Sequence, residues 1–470
     1  MSRCCLPVVL TAITTCCAAL PAQQAEPARQ LRIGGVALQV VHEQEGAAAA
    51  GHTVVAIYDH ERGPFADQVQ YLTDLQARFR DKGIAFAVAL PDEAAGRVAA
   101  GKPRLVVARS IEHLSAMGGH ALLTGRNGEV RYDMRGIDGL VDVLDAVVAG
   151  TFDAADTTTS LEVVEHLVGS VADGGDFDDE VAHVLEKFPR SGRAHAAAVL
   201  NQWWCKGDPL AARQAVERAI ARLSNEAVPM SRFADLVLRG DRNDPLVAKK
   251  VAMAMAPVAA GAPDGTFTQL VHLRGMLRAG QDRLAGRIAA LLPNKLGGQA
   301  EQQLIFAETL MEAAVPLPYR DVAERAIQNA EANGGNRKWV YAARHKLLKR
   351  CGEDEAAAKL MVEYRKQDVS SSGLNNDAWY TIIRPDSMGR FDTLALAQGE
   401  EMLRVEGDAI DFGSKDTVAL AMFVNGRIDR AIELQTAAAK GAQNDPVYLG
   451  RLNRYRATRK LLAELEKAGR

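Results

Sequence analysis

Four glycines constrain this chain more than any other feature. Gly207, Gly280, Gly352 and Gly426 stand 73, 72 and 74 residues apart, and five residues after each comes an alanine, at Ala212, Ala285, Ala357 and Ala431. Gly240 and Gly389 fall between them, and Gly175 lies 32 residues before the first. The underlying unit is therefore roughly 36 residues, the length of a helix pair in a repeat array. Glycine ends a helix by taking the left-handed conformation, and a small residue lets the next helix lie close against the last. A single helical hairpin cannot bury its apolar face, so such units stack. Aromatic residues make up only 5% of the chain, which suits close-packed helices better than a β-sandwich or barrel.

The pattern occupies residues 161–457, with 458–470 expected as a C-terminal helical tail. Ahead of it the signals change. Leu31 to Val41 and Thr53 to Tyr58 read as strands. From Ala66 to Phe79 apolar residues recur three or four apart behind Pro64, as in an amphipathic helix. Ile84 to Leu90 and Arg104 to Ala108 are further strands, and Ala121 to Thr124 with Glu129 to Tyr132 flank Arg126-Asn127-Gly128, a hairpin turn. A helix from Ile137 to Val148 closes the unit. The expected division is a front domain over 31–150, linkers at 23–30 and 151–160, and the array.

Residues 1–22 combine Arg3, a mostly apolar run from Cys5 to Leu20 and small residues near Ala22, the layout of a secretory signal peptide. The mature chain is therefore expected to be secreted, in the periplasm or outside the cell. A membrane anchor is the alternative, but a spanning helix needs roughly 20 apolar residues and this run is shorter and interrupted. Lipid attachment at Cys16 or Cys17 is a second alternative, with Thr15 a poor residue to precede an acylated cysteine. No transmembrane segment is expected after cleavage. Of six cysteines only Cys205 and Cys351 then remain. They precede equivalent turns many helices apart, whereas a disulfide needs Cα atoms within ~7 Å, so both read as buried small residues.

The stretch VVAIYDHERGPFADQVQYLTDLQARFRDKGIAFAVAL resembles the thioredoxin-like family, especially its exported thiol-disulfide oxidoreductases and peroxiredoxin relatives, and ALLTGRNGEV resembles that family's closing hairpin. The resemblance implies an α/β thioredoxin-like N-terminal domain over about a quarter of the chain. It also locates the damage. The redox motif falls on Arg62, Gly63, Pro64 and Phe65, and the cis-proline position falls near Gly119, so both sulfurs and the proline are missing. Thiol exchange needs a thiolate to attack and a sulfur to leave. The last array unit, KDTVALAMFVNGRIDRAIELQTAAAKGAQNDP, resembles a tetratricopeptide repeat, with Val418, Ala419 and Met422 on first-helix positions, Gly426 at the turn, and Ala431 and Ala438 on second-helix positions. Asn375 through Gly389 looks like the unit before it. The remainder resembles a divergent all-α helical-repeat (TPR-like solenoid) domain.

With 56 basic and 59 acidic residues and a formal charge of −3, the chain has no basic field for nucleic acid. His113 and His120, seven apart with no carboxylate between them, fit no common metal spacing. Asp59, His60, Glu61 and Arg62 read either as an anion- or peptide-binding loop at a helix start or as solvated surface. Trp203, Trp204, Trp339 and Trp379 read either as a partner-binding stripe or as core. No catalytic residue, metal ligand or cofactor site is assigned. The reading is an exported non-catalytic binding or scaffold protein whose repeat surface takes a protein or peptide partner. The alternative is a thiol-disulfide oxidoreductase or peroxiredoxin-like enzyme. A third possibility makes the front domain a cap on the array's exposed end.

Overall fold

The computed structural model describes residues 30–33, 36–42, 51–57, 65–90, 106–109, 120–126, 129–135, 137–173, 177–240, 244–313, 317–365, 371–384 and 387–467. At the centre of the front part lie two apolar runs, β3 (His52–Ile57) and β4 (Ile84–Leu90), paired in parallel from His52↔Ile84 to Ile57↔Ala89. Near-continuous apolar runs of this kind belong to strands covered on both faces. Helix α1 (Phe65–Phe79) connects them and buries Leu72, Leu75 and Phe79 in the same core. On the other side of β3, β6 (His120–Gly125) runs antiparallel and pairs with β7 (Val130–Arg135). Beyond β4 lie β5 (Val106–Arg109), β2 (Val36–His42) and β1 (Gln30–Ile33), giving the order β1-β2-β5-β4-β3-β6-β7. The single strand expected over Leu31 to Val41 is thus two strands paired through Ile33↔Val36. Gly34-Gly35 between them is a dipeptide that favours chain reversal.

Helix α2 (Leu140–Ala149) completes this part, and α3 (Ala154–Asp173) begins inside the segment expected as a linker at 151–160. The threonine-rich composition misleads there. Asp153 accepts from the amides of Ala155 and Asp156 as a cap, and Thr158 and Ser160 bond back to carbonyls one turn earlier.

From α3 onward the described residues are helical. The chain continues through α4 (Asp178–Lys187), α5 (Gly192–Leu200), a π-helical turn (Asn201–Cys205), α6 (Pro209–Leu223), α7 (Ala227–Gly240) and α8 (Pro245–Gly261). Then come α9 (Thr266–Arg278), α10 (Asp282–Leu296), α11 (Ala300–Leu310), α12 (Arg320–Ala332), α13 (Arg337–Arg350) and α14 (Asp354–Arg365). The last are α15 (Ser371–Ile383), α16 (Asp392–Glu406), α17 (Phe412–Val424), α18 (Ile428–Gly441) and α19 (Pro446–Lys467), the last running unbroken through the boundary expected at 457. Local chemistry starts these helices. Asp208-Pro209 and Asp244-Pro245 place a capping carboxylate before a proline at the first helical positions of α6 and α8. Gly207, Gly280, Gly352 and Gly426 have φ of 64, 69, 75 and 77°, and Ala212, Ala285, Ala357 and Ala431 are buried.

Helices α5, α7, α9, α11 and α13 pack successively on one another as an inner layer, with α6 and α8 outside them. In stacked units of this kind contacts run mainly between neighbours, but here the array also closes on itself. Helix α15 reaches α3, and α19 reaches the π-helical turn. The guanidinium of Arg454 lies 3.8 Å from the Trp204 ring centroid and 4.5 Å from that of Phe423. The Arg239 guanidinium donates to the Met388 carbonyl at 3.0 Å. Sequence self-comparison reports the length of a repeat, whereas closure depends on the small rotation each unit adds. One consequence is a single apolar core that joins Val54 and Phe86 of the sheet, Trp203 and Val237 of the array, and Phe423 and Tyr455 near the end of the chain. A second core, around Leu273, Phe306 and Ile327, holds α9 to α13 together. Trp203 and Trp204 are core residues, and Cys205 and Cys351 form no disulfide and are only partly buried.

Closure depends on one glycine. Gly389 has a φ of +73°, and a Cβ there would lie 2.6 Å from the Arg239 carbonyl oxygen, whereas Gly352 has a φ of +75° with nothing within 4 Å of such a Cβ. Gly352→Ala should cost only the ~1–2 kcal/mol of a left-handed alanine. Gly389→Ala should cost that and a further ~1–3 kcal/mol of overpacking. Equilibrium denaturation of the two variants checks this ordering.

Candidate functional site

The positions singled out in the front part divide between described and undescribed residues. Arg62, Gly63, Pro64 and Gly119 lie outside the described residues, and Phe65 is the first residue of α1. His120 Nδ1 is 2.7 Å from Asp133 Oδ1, a pairing within the β6–β7 hairpin. The first charged residue along α1 is employed differently. Asp67 is 5% exposed and caps α9 of the array, accepting from the amides of Phe267 at 2.8 Å and Thr268 at 3.4 Å. Gly265 makes room for it, since a Cβ there would sit 1.6 Å from Asp67 Oδ1. Burial raises the Asp67 carboxyl to about 6, and the two amides offset part of that rise. Around the same interface Asp138 accepts from the amides of Gly192 and Arg193 at the start of α5, and Asp142 pairs with Arg190 at 2.8 Å.

The inner layer of the array lines a cavity of ≈ 340 Å³ that is open to solvent on one side. Val168 of α3, Arg193 of α5, and Arg232, Asp235 and Arg239 of α7 form one side. Phe267 and Arg274 of α9, Glu301 and Ile305 of α11, and Arg390 just before α16 form the other. None of these side chains was singled out from the sequence. The available signal was a charge set among apolar residues of a helix, as in FADLVL around Asp235, LVHLRGML around Arg274 and LIFAETL around Glu308. An isolated charge costs too much to bury unless it is paired, so three such charges in successive inner helices imply partners across the array.

Those partners are present. Asp235 receives both Nε and Nη2 of Arg239, at 3.0 and 2.7 Å, and also pairs with Arg274. Burial alone would raise the Asp235 carboxyl, but the charges of Arg239 and Arg274 dominate and hold it at about 2. Arg274 also donates to Thr309 Oγ1 at 3.2 Å. Arg390 makes a bidentate pair with Glu308 at 2.7 and 3.1 Å and lies 4.7 Å from the Trp339 ring centroid. Arg232 is held otherwise. It lies 5.3 Å from the Phe267 ring centroid and forms no ion pair or hydrogen bond among the described residues. Desolvation and the nearby Arg193 lower its guanidinium to about 10, so it remains charged at neutral pH. Among the described residues no group of three or more His, Cys, Asp or Glu side chains could hold a metal ion. Nor is any described helix long and apolar enough to cross a membrane.

No family model and no curated protein matches the chain. Among solved structures, the crystal structure of the P58(IPK) TPR domain matches at 16% identity, covering 65% of this chain and 99% of that one, with a TM-score of 0.15. A superposition at that score carries no argument about fold or function.

Two substitutions test this electrostatic reading. Asp235→Ala leaves two buried guanidinia without their carboxylate and should cost ~3–5 kcal/mol, whereas Arg232→Gln should leave the melting temperature nearly unchanged. The Asp67 carboxyl, raised in the folded state, favours folding in its protonated form, so its contribution is fully present below about pH 4 and is lost as the pH rises through about 6. Each pKa unit is worth ~1.4 kcal/mol, so Asp67→Asn should remove a loss of a few kcal/mol between pH 4 and 6. Denaturation at a series of pH values reads the slope.

Proposed function

We propose that this chain is an exported, non-catalytic binding protein in which a redox-inactive thioredoxin-like unit buttresses a TPR-like helical array, and the array engages a protein or peptide partner. The observation that carries the proposal is the use made of α1. In a thiol oxidoreductase the start of the helix after the redox motif must stay open to a substrate disulfide. Here that helix is spent on docking, with Asp67 inserted at the N-terminus of α9 and Arg78 paired with Glu226 at 3.1 Å. The sheet supports the thioredoxin-like reading, because β3, α1, β4 and the β6–β7 hairpin form a β-α-β unit with the hairpin beside its first strand. The interface also favours the cap possibility, since α1 packs on α7 and α9 as a cover would.

Two assays separate this function from the enzymatic alternative. The mature chain, with an N-terminus near Gln23, should reduce insulin no faster than dithiothreitol alone. Cross-linking to proteins captured from the exported fraction should map onto residues 154–467. Turnover above background, or cross-links confined to residues 30–150, would contradict the proposal.

A further inference from the structure

The outer row of the array is uneven in charge. Helices α10 and α12 continue the row begun by α6 and α8, α10 packing on α9 and α12 on α11 and α13. Along this row α6, α8 and α10 each carry two more basic than acidic residues, whereas α12 carries one more acidic than basic and α4, before them, three more. The same three basic helices hold four exposed large apolar side chains, Leu210, Met253, Leu284 and Leu291. Such residues scattered singly mean nothing, so their arrangement decides the matter.

The three helices are joined side by side. Arg213 of α6 pairs with Asp244 at the head of α8, and Lys295 of α10 reaches Asp264, just beyond the end of α8, at 3.0 Å. Lys295 therefore marks the side of α10 that faces α8. Leu291 and Leu284 stand four and eleven residues before it, on that same side one and three turns back. In the same way Arg213, one residue after the buried Ala212, marks the side of α6 that faces its successor, and its counterpart on α8 is Lys249, one residue after the buried Ala248. Met253, Ala256 and Ala260 continue the Lys249 side at helical spacing, and all are exposed. Met253, Leu284 and Leu291, each half or more exposed, thus border one seam between α8 and α10. Lys249 at its end, with Arg283 and Arg287 on its outer lip, is exposed like them, and the three form no ion pair among the described residues.

We infer that this seam docks on an anionic membrane surface, with Met253, Leu284 and Leu291 entering the boundary between headgroups and acyl chains and Lys249, Arg283 and Arg287 on lipid phosphates. Apolar side chains bordered by Lys and Arg, on helices lying in the interface plane, are what such docking requires. The observations favour a bilayer over a peptide. A peptide anchor needs a fitted, desolvated pocket, and beyond Met253 the α8 side offers only Ala256 and Ala260, whereas a fluid bilayer takes protruding side chains without a matching shape. Duplex DNA would use the charges and leave the apolar residues in water. The acidic surplus of α4 and α12 sets the limits of the face, since both are repelled by anionic lipid. No described helix is long and apolar enough to cross a membrane, so attachment through this face is peripheral. The inference goes beyond the binding of a protein partner and does not rest on it.

The test is co-sedimentation of the mature chain with vesicles of phosphatidylglycerol and phosphatidylcholine in equal parts, against vesicles of phosphatidylcholine alone. The chain should bind the anionic vesicles, bind the neutral ones far less, and lose binding as sodium chloride is raised. Met253→Ser combined with Leu291→Ser should weaken binding roughly tenfold or more, because affinity scales with the apolar area inserted. Lys249→Gln combined with Arg287→Gln should weaken it on anionic vesicles only. All four positions are exposed, so both double variants should melt like the parent. Val362→Ser, at an exposed apolar position on α14, should leave binding unchanged. Absence of binding to anionic vesicles at low salt overturns the inference. So does equal binding to neutral vesicles, and so does binding that the Met253 and Leu291 substitutions leave intact. A chain that ignores vesicles but binds duplex DNA or oligoglutamate through Lys249 and Arg287 overturns it as well. Failure on vesicles leaves the protein-partner reading standing, since cross-linking reads capture on any face of residues 154–467.

Discussion

Asp235 is the residue on which the interior depends. A carboxylate buried in the second inner helix of the array would be intolerable alone, and its two partners come from one turn away on α7 and from α9. Arg239, oriented by that pair, donates to the Met388 carbonyl and so holds the returning segment, in which Arg390 turns inward to Glu308. The charges therefore do what apolar packing alone would do less specifically: they set which helix of the array meets the returning chain. Buried ionic groups add little net stability compared with well-packed apolar substitutes, but breaking one partner is costly, which favours a single register. The cavity is the space left among these clamped side chains.

Much of the architecture is legible in the sequence because it rests on local chemistry. Gly–Ala pairs near 73-residue spacing, Asp-Pro helix starts and unbroken apolar strands each report a backbone requirement within a few residues. The boundaries that mislead are those set by tertiary context. Threonine-rich 156–160 looks like a linker until Asp153 is seen capping α3, and Leu31 to Val41 looks like one strand until its halves pair. Closure and the cavity are not legible, because Asp235, Arg274 and Glu308 are far apart in the chain, and their placement inside apolar helices implies burial without saying which charge pairs with which.

The front part and the array are one structure rather than two. A core running from Phe86 to Phe423, Asp67 at the head of α9 and Asp138 at the head of α5 make the sheet a support for the first inner helices. The start of α1 is spent on that support, and the array gains a fixed inner wall.

The central claim, that the array is closed, is tested most directly by small-angle X-ray scattering of the mature chain. A compact chain of this length has a radius of gyration of about 22–23 Å, and the closed array predicts a value near that. An open stack of on the order of eight helix pairs, roughly 10 Å apart, with the front part at its head, would instead be a particle on the order of 110 Å long with a radius of gyration of ~30 Å, and that result would contradict the account.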